Sequence, residues 1–240
     1  MDLSPTLPQP ASSPSMTYVF HPEQHGHLVP WIAALHASCM NTDRMIGPFL
    51  PPFDNGKLLG WWRERIAESN NGTRVIVLLL PETPPGSKPV GNDLRGLAML
   101  KLSDTETGSF RGKIDTLLVN REFRRQGGAK ALVDALEYEA ARRGRTLIRV
   151  NTETNSPAEA AFKKFGYIEF GQVPQFSRAV GVSHLNGGSL KKSETFFYKD
   201  LLTISQQQQH QQQQPQQQQQ PQYLQEFSNG VANSNSSSSS

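Results

Sequence analysis

The chain has 240 residues, with 24 Lys and Arg against 21 Asp and Glu, a formal charge of +3. That excess is small and scattered rather than gathered into a basic stripe, so no nucleic-acid partner is expected. The longest apolar run, Val75 to Leu80, is far shorter than the ~20 residues of a membrane span, so no membrane partner is expected either.

The start, 1–15, carries Pro5, Pro8, Pro10 and Pro14 among serines. It has no basic end followed by an apolar run, so it reads as a disordered leader rather than a secretory signal. A soluble, cytoplasmic protein is expected, the nucleus staying open. Cys39 is the only cysteine, which excludes an intrachain disulfide and a thiolate cluster. The six histidines form no zinc-protease pattern, and no metal is expected. His25 and His27 read as solvated loop histidines, and Cys39 as a core residue on a helix.

Helices are expected over 30–39 and 57–68. In the second, Leu58, Trp62 and Ile66 recur every four residues and lay down one apolar stripe, with Arg63, Glu64 and Arg65 facing water. The β-branched run 73–80 is a strand ending at Pro81. A Pro/Gly loop over 81–92 turns into a strand over 94–102, and a loop over 103–112 leads to a strand over 113–119. Such connections predict antiparallel pairing among these first strands.

The pattern then changes. A helix is expected over 129–143, buried through Leu132, Val133, Leu136 and Ala140 and ended by Gly144. A strand over 146–150 follows, then a helix over 157–165 ended by Gly166, and strands over 167–170 and 194–198. A strand–helix–strand crossover implies parallel pairing of 113–119 with 146–150. The sum is a mixed α/β sheet over 16–204. Beyond it, 205–240 is a Gln-rich and Ser/Asn-rich tail that cannot bury enough apolar surface to order itself. Tyr223–Phe227 within it could be a short docking motif.

The segment from Val119 to Leu132 carries the chemistry. Gly127 and Gly128 have no Cβ, so backbone can approach a ligand or take positive φ. The N–H groups of the following helix start form an anion site, with Arg124 and Arg125 adding mobile positive charge. The pattern is neither a P-loop nor a dinucleotide glycine fingerprint. It resembles motif A of the GNAT superfamily of N-acetyltransferases, R/Q-x-x-G-x-G/A, with Arg124, Gly127 and Ala129 on its defining positions. Asn155, Ala158 and Phe165-Gly166-Tyr167 match the family's next block, and the resemblance runs from about Leu58 to Leu201. More narrowly, Trp61 to Ile66 and Gly144 to Leu147 are similar to the tabtoxin-resistance-like branch.

That resemblance implies the acyl-CoA N-acyltransferase fold, with strands 113–119 and 146–150 splayed around acetyl-CoA. Backbone of Leu117, Leu118 and Val119 would pair with pantetheine amides. The amides of Gln126, Gly127, Gly128 and Ala129 would hold the pyrophosphate, with Arg124, Arg125 and Lys130 beside them. Asn155 and Phe162 would complete the cofactor side. The acceptor is expected to be a small-molecule amine, acetylated directly in a ternary complex, and a homodimer is open to the chain. An ammonium has no lone pair, so a base or water relay must take a proton before attack on the thioester.

Three positions depart from the family pattern. Lys113 stands where the related branch usually carries Glu, Phe162 where a general-acid Tyr is common, and Asn151 where an Asp is common. Asp115 is the nearest remaining carboxylate and the candidate base, although a solvated pair with Lys113 accounts for it equally well. Glu159 is expected to cap its helix. His184 lies in a Gly-rich loop. Loops over 41–56 and 176–192 should form the acceptor side. The alternatives are a coenzyme A-binding protein with weak or lost catalysis, a protein-substrate acetyltransferase, and a protein whose business end is the glutamine tract.

Overall fold

A computed structural model describes residues 14–50, 52, 54–84, 86–179 and 190–202. Seven strands form one sheet in the order β1-β2-β3-β4-β5-β7-β6. The strands are β1 (Ser15–Val19), β2 (Arg74–Pro81), β3 (Gly96–Leu102), β4 (Arg111–Val119), β5 (Leu147–Glu153), β6 (Ile168–Ala179) and β7 (Leu190–Asp200). The helices are α1 (Pro22–His25), α2 (Val29–Asp43), α3 (Asn55–Asn70), α4 (Gly128–Arg142) and α5 (Pro157–Lys164). All pairs are antiparallel except β4 with β5, the pair joined by the α4 crossover. Among the described residues no helix is long and apolar enough to cross a membrane.

The run Val75 to Leu80 is uniformly apolar because β2 is covered on both faces. Val75, Val77 and Leu79 join α4 and α5 in one core with Leu100, Ile114, Ile148, Val150 and Phe197. Ile76, Leu78 and Leu80 face the other way, into a core with Ile32, Met40, Leu58 and Trp62 of α2 and α3. The apolar stripe of α4 is fully buried through Leu132, Val133, Leu136 and Ala140. Gly144, at φ 70°, and Gly166, at φ 82°, end α4 and α5 in the left-handed conformation that glycine takes without a Cβ penalty.

Three local expectations are corrected. Ser15 is not part of the leader. It opens β1, opposite Pro81. His25 is not a solvated loop residue: it is buried, and its Nδ1 accepts the His21 N–H at 3.0 Å. Burial, with His21 and His27 nearby, holds its imidazole below the ordinary range. His27 Nε2 donates to the Pro89 carbonyl at 2.7 Å. Arg65 does not simply face water, since its guanidinium lies over the Trp61 ring at 5.1 Å and pairs with Glu68 at 3.1 Å.

The strand expected over 167–170 runs on to Ala179, so part of the expected acceptor loop is sheet. Pro174 is tolerated there because β6 is the outer strand and bulges at that point. Likewise Asn41, Thr42 and Asp43 belong to α2, and Leu190, Lys191 and Lys192 to β7. His184, the glutamine tract and Tyr223–Phe227 lie outside the described residues.

Candidate active site

The turn before α4 is built by two glycines with different tasks. Gly127 sits at φ 84°, and a Cβ there would meet nothing within 4 Å, so only the backbone conformation demands glycine. Gly128 is buried, and a Cβ on it would come within 2.6 Å of Leu79 Cδ2. Glycine there seats the first turn of α4 directly on β2. Arg125, at φ 63°, reverses the chain just before the bend.

No side chain caps α4. Among the described residues, none of the backbone N–H groups of Gln126, Gly127, Gly128, Ala129 and Lys130 donates a hydrogen bond within the protein. The first that does is Ala131, to the Gly127 carbonyl at 3.0 Å. Five unclaimed donors lie at and just before the positive end of a 15-residue helix. An anion of phosphate type is the chemical complement of such a cradle.

Beside it the sheet opens. β4 and β5 are paired in register only from Arg111↔Leu147 to Ile114↔Val150. Beyond that point β4 continues to Val119 and β5 to Glu153 without pairing to each other. Leu117, Leu118 and Val119 keep their partners on the β3 side, and Leu118 buries its side chain in the α2/α3 core. The β5 side of these residues is a sheet edge, open to an extended ligand with amides of its own. At the parting, Met99 faces Thr116 and Leu100 faces Ile114, leaving Asp115 as the extra residue of a β-bulge.

Arg124 is not the mobile cation the sequence suggests. Its Nη1 and Nη2 donate to the Asp43 carboxylate at 2.9 and 2.6 Å, and its Nε donates to the Val119 carbonyl at 2.9 Å. It is a strut joining the end of β4 to the end of α2. Arg125 is exposed, and among the described residues its side chain makes no hydrogen bond or ion pair. Lys130 is committed to Asp134 one turn on, at 2.6 Å. Cys39 is buried as expected. Burial pushes its thiol up, against the lowering influence of the Arg124 guanidinium.

The acid–base candidates are dispersed. Ile114 points into the α4/α5 core, so Lys113 and Asp115 share the opposite side. Yet Asp115 pairs with Arg74 rather than Lys113: Arg74 Nη1 donates to it at 2.6 Å, and Arg74 Nε donates to Glu68 at 2.6 Å. The Asp115 carboxylate is thus engaged by a guanidinium that is itself buried.

Asn151, the first β5 residue beyond the last β4 pair, donates from Nδ2 to Glu194. Asn155 is exposed at φ 62°, its N–H held by the Glu159 carboxylate. Glu159 caps as expected, while Ser156 Oγ accepts the Glu159 N–H at 3.1 Å. The Lys163 ammonium, together with the Asn155 N–H, keeps the Glu159 carboxyl below its usual range.

Phe162 corrects the cofactor assignment. It is 2% exposed and packs against Phe165, Tyr167 and Phe197, so its side chain belongs to the core and not to a ligand surface. Sequence reading also passed over Glu194. It is a buried carboxylate that accepts from Asn151 Nδ2 and Ser177 Oγ. The signal available was an acid opening the aromatic-rich stretch Glu194-Thr-Phe-Phe-Tyr198.

A crossover helix opening on five free amides, next to a parallel pair that parts after four residues, defines an acyl-CoA transferase type of fold. Residues 18–167 match the acetyltransferase (GNAT) family, and the chain belongs to that family. The fold is similar to that of an N-acetyltransferase from Staphylococcus aureus Mu50, at 16% identity over 79% of this chain and 99% of that one, TM-score 0.57. It is also similar to yncA from Salmonella typhimurium, solved with its cofactor acetyl-CoA, at 14% identity over 78% and 94%, TM-score 0.56. RimL, a ribosomal L7/L12 α-N-protein acetyltransferase in complex with coenzyme A, matches at 15% identity over 80% and 97%, TM-score 0.57.

Proposed function

We propose that the chain, through a domain that opens with β1 at Ser15 and runs to 204, transfers an acetyl group from acetyl-CoA directly to a small-molecule amine in a ternary complex. The observation that carries this reading is the set of unclaimed amides at the Gly127 bend beside the opening between β4 and β5. The amides of Gln126 to Lys130 would hold the pyrophosphate, with Arg125 reaching it from the exposed side. The open edge of Leu117 to Val119 would align the pantetheine arm, and the Asn155 side chain would reach its far side. Bound acetyl-CoA supplies the thioester carbonyl. A backbone N–H at the parted edge would stabilise the oxyanion, a contribution of ~3–4 kcal/mol for one donor. The segment from Trp61 to Ile66 supports a place in the tabtoxin-resistance-like branch, although Trp62 itself is core.

The test compares Gly127→Asn with Gly127→Asp. Asn and Asp have the same shape and tolerate left-handed backbone better than other side chains, so the pair isolates charge. Calorimetry with coenzyme A should show Gly127→Asp weakened about tenfold or more relative to Gly127→Asn, in line with a like charge placed against a phosphate. Equal affinity would overturn the cradle.

A second reading, coenzyme A binding without turnover, is favoured by the engagement of Asp115 with Arg74 and by the absence of a hydroxyl at Phe162. It predicts coenzyme A binding with no acetylated product from any amine in a broad panel.

A further inference from the structure

We propose that Glu194 is the acceptor-amine site: its carboxylate binds the ammonium of an amine carrying an apolar or aromatic body, and takes its proton. This deepens the transferase reading and rests on it for the chemical step.

The argument starts from the two sides of β7. Phe197 points into the α4/α5 core, and Thr195 Oγ1 lies 2.9 Å from Thr154 Oγ1, so Glu194, Phe196 and Tyr198 share the opposite side. Among the described residues, the apolar core under α2 and α3 contains no residue of β5, β6 or β7. Glu194 is nevertheless 3% exposed. Its hydrogen-bond partners come from within the sheet.

Val173 faces Glu194 and Ser177 faces Lys192, so Pro174, Gln175 and Phe176 together stand opposite Ser193 in a wide irregularity of β6. Gln175, at φ 53°, turns the arch, and its N–H donates to Ser193 Oγ at 3.3 Å. The arch aims Ser177 Oγ at one carboxylate oxygen of Glu194 while Asn151 Nδ2 donates to the other.

Both donors are neutral. The charged groups around Glu194 are Glu153, opposite it on β5, Lys192 two residues back on β7, Arg149 further along β5, and Arg178 beside Ser177. Lys192 Nζ is spoken for, pairing with Glu153 at 2.6 Å and donating to the Arg44 carbonyl at 2.8 Å. Among the described residues Glu194 has no ion pair. A buried carboxylate without a counter-charge is costly unless a cation reaches it.

Its hydrogen-bond partner Asn151 is the first β5 residue past the last β4 pair, which places the carboxylate beside the opening. Next to it stand aromatic rings. Phe176 meets Phe196 edge to face at 5.1 Å, and Phe170 lies 6.1 Å from both Phe196 and Tyr198. Phe170 is 58% and Phe176 53% exposed. A negative point beside an uncovered aromatic wall complements a cation on an apolar body.

In the reaction the ammonium gives one proton to Glu194. The freed nitrogen lone pair attacks the thioester carbonyl, the C–N bond forms, and the C–S bond breaks with its electron pair on sulfur. The nitrogen, cationic after attack, loses its second proton to the departing thiolate. Glu194 releases the first to solvent, so the net products are amide, thiol and one released proton.

The experiment uses the full chain and 2-phenylethylamine, with ethanolamine as the small polar comparison. Calorimetry without cofactor should detect 2-phenylethylammonium binding that Glu194→Gln abolishes, while coenzyme A affinity stays unchanged. With acetyl-CoA, Glu194→Gln should lower kcat/KM about 100-fold, as expected for loss of a general base. Phe176→Ser, at an exposed position, should cut the preference for 2-phenylethylamine over ethanolamine about tenfold.

Wild-type kcat/KM in Glu194→Gln would overturn the proposal. So would a wild-type chain that binds coenzyme A but not 2-phenylethylamine, a result that leaves the transferase reading standing. Amine binding with no coenzyme A binding would do the reverse.

Discussion

The two halves of the proposed site are made of different material. The donor half is backbone: amides of Gln126 to Lys130 exposed by a left-handed bend, and the edge of Leu117 to Val119 exposed where β4 leaves β5. The acceptor half is side chains: Glu194, Asn151, Ser177 and the rings of Phe170, Phe176 and Phe196. Backbone donors need only glycine and a helix start, so the donor half tolerates wide sequence change. The acceptor half depends on which side chain stands at each register position, and that is where specificity for an amine is set.

The same contrast holds for stability. On the side covered by α4 and α5, substitutions should be felt as cavities. Phe162→Ala should cost about 4 kcal/mol, since it empties a fully buried aromatic site between Phe165, Tyr167 and Phe197. Coenzyme A affinity measured below the lowered melting temperature should stay unchanged. A large loss of affinity at full fold would return Phe162 to the cofactor surface. By contrast, Phe176→Ser, which loses only a half-exposed ring and its edge-to-face contact with Phe196, should cost about 1 kcal/mol.

The α2/α3 layer has its own weak point, in acid. His36 is buried against Trp61 and Trp62 at 5.5 and 5.7 Å, and burial holds its imidazole down at about 4 instead of 6.5. Above pH 6.5 the ring is neutral in folded and unfolded chains alike. Between 6.5 and about 4 the unfolded chain binds a proton that the folded chain refuses. Stability therefore falls as pH drops through that window, by up to about 3 kcal/mol. Melting temperature followed from neutral pH to pH 4 should show this slope, and His36→Phe should flatten it. An equal slope in the variant would assign the acid sensitivity elsewhere.

The donor half was legible in the sequence because its requirements are local. Gly127 needs a left-handed φ, Gly128 needs contact with Leu79, and both sit just before the apolar stripe of α4. What was not legible depends on residues far apart in the chain. Arg124 looked like a free cation because its partner, Asp43, lies 81 residues away. Glu194 looked like a strand end because Asn151, 43 residues earlier, supplies its hydrogen bond. β1 followed a Pro/Ser segment and owes its place to pairing with β2. The outer part of β6 was hidden by Gly171 and Pro174, which an edge strand with bulges accommodates.

Arg124 and Arg125 are adjacent, and they test the division between strut and ligand most finely. Arg124→Ala removes a pair whose side chains are 36% and 32% exposed, so solvent screening limits its worth to about 1 kcal/mol. It also leaves the Val119 carbonyl without its donor. The expected outcome is a modest fall in melting temperature, reduced further at high salt, with coenzyme A affinity changed less than about threefold. Arg125 is exposed at φ 63°, so Asn is the replacement that accepts its backbone. Arg125→Asn should leave the melting temperature in place and weaken coenzyme A by about threefold to tenfold, the loss shrinking as salt rises, because a surface cation facing a phosphate acts through a screened field. If Arg124→Ala instead carries the larger loss of affinity at unchanged stability, the guanidinium must leave Asp43 when the cofactor arrives, and the end of α2 becomes a part of the site that moves with binding.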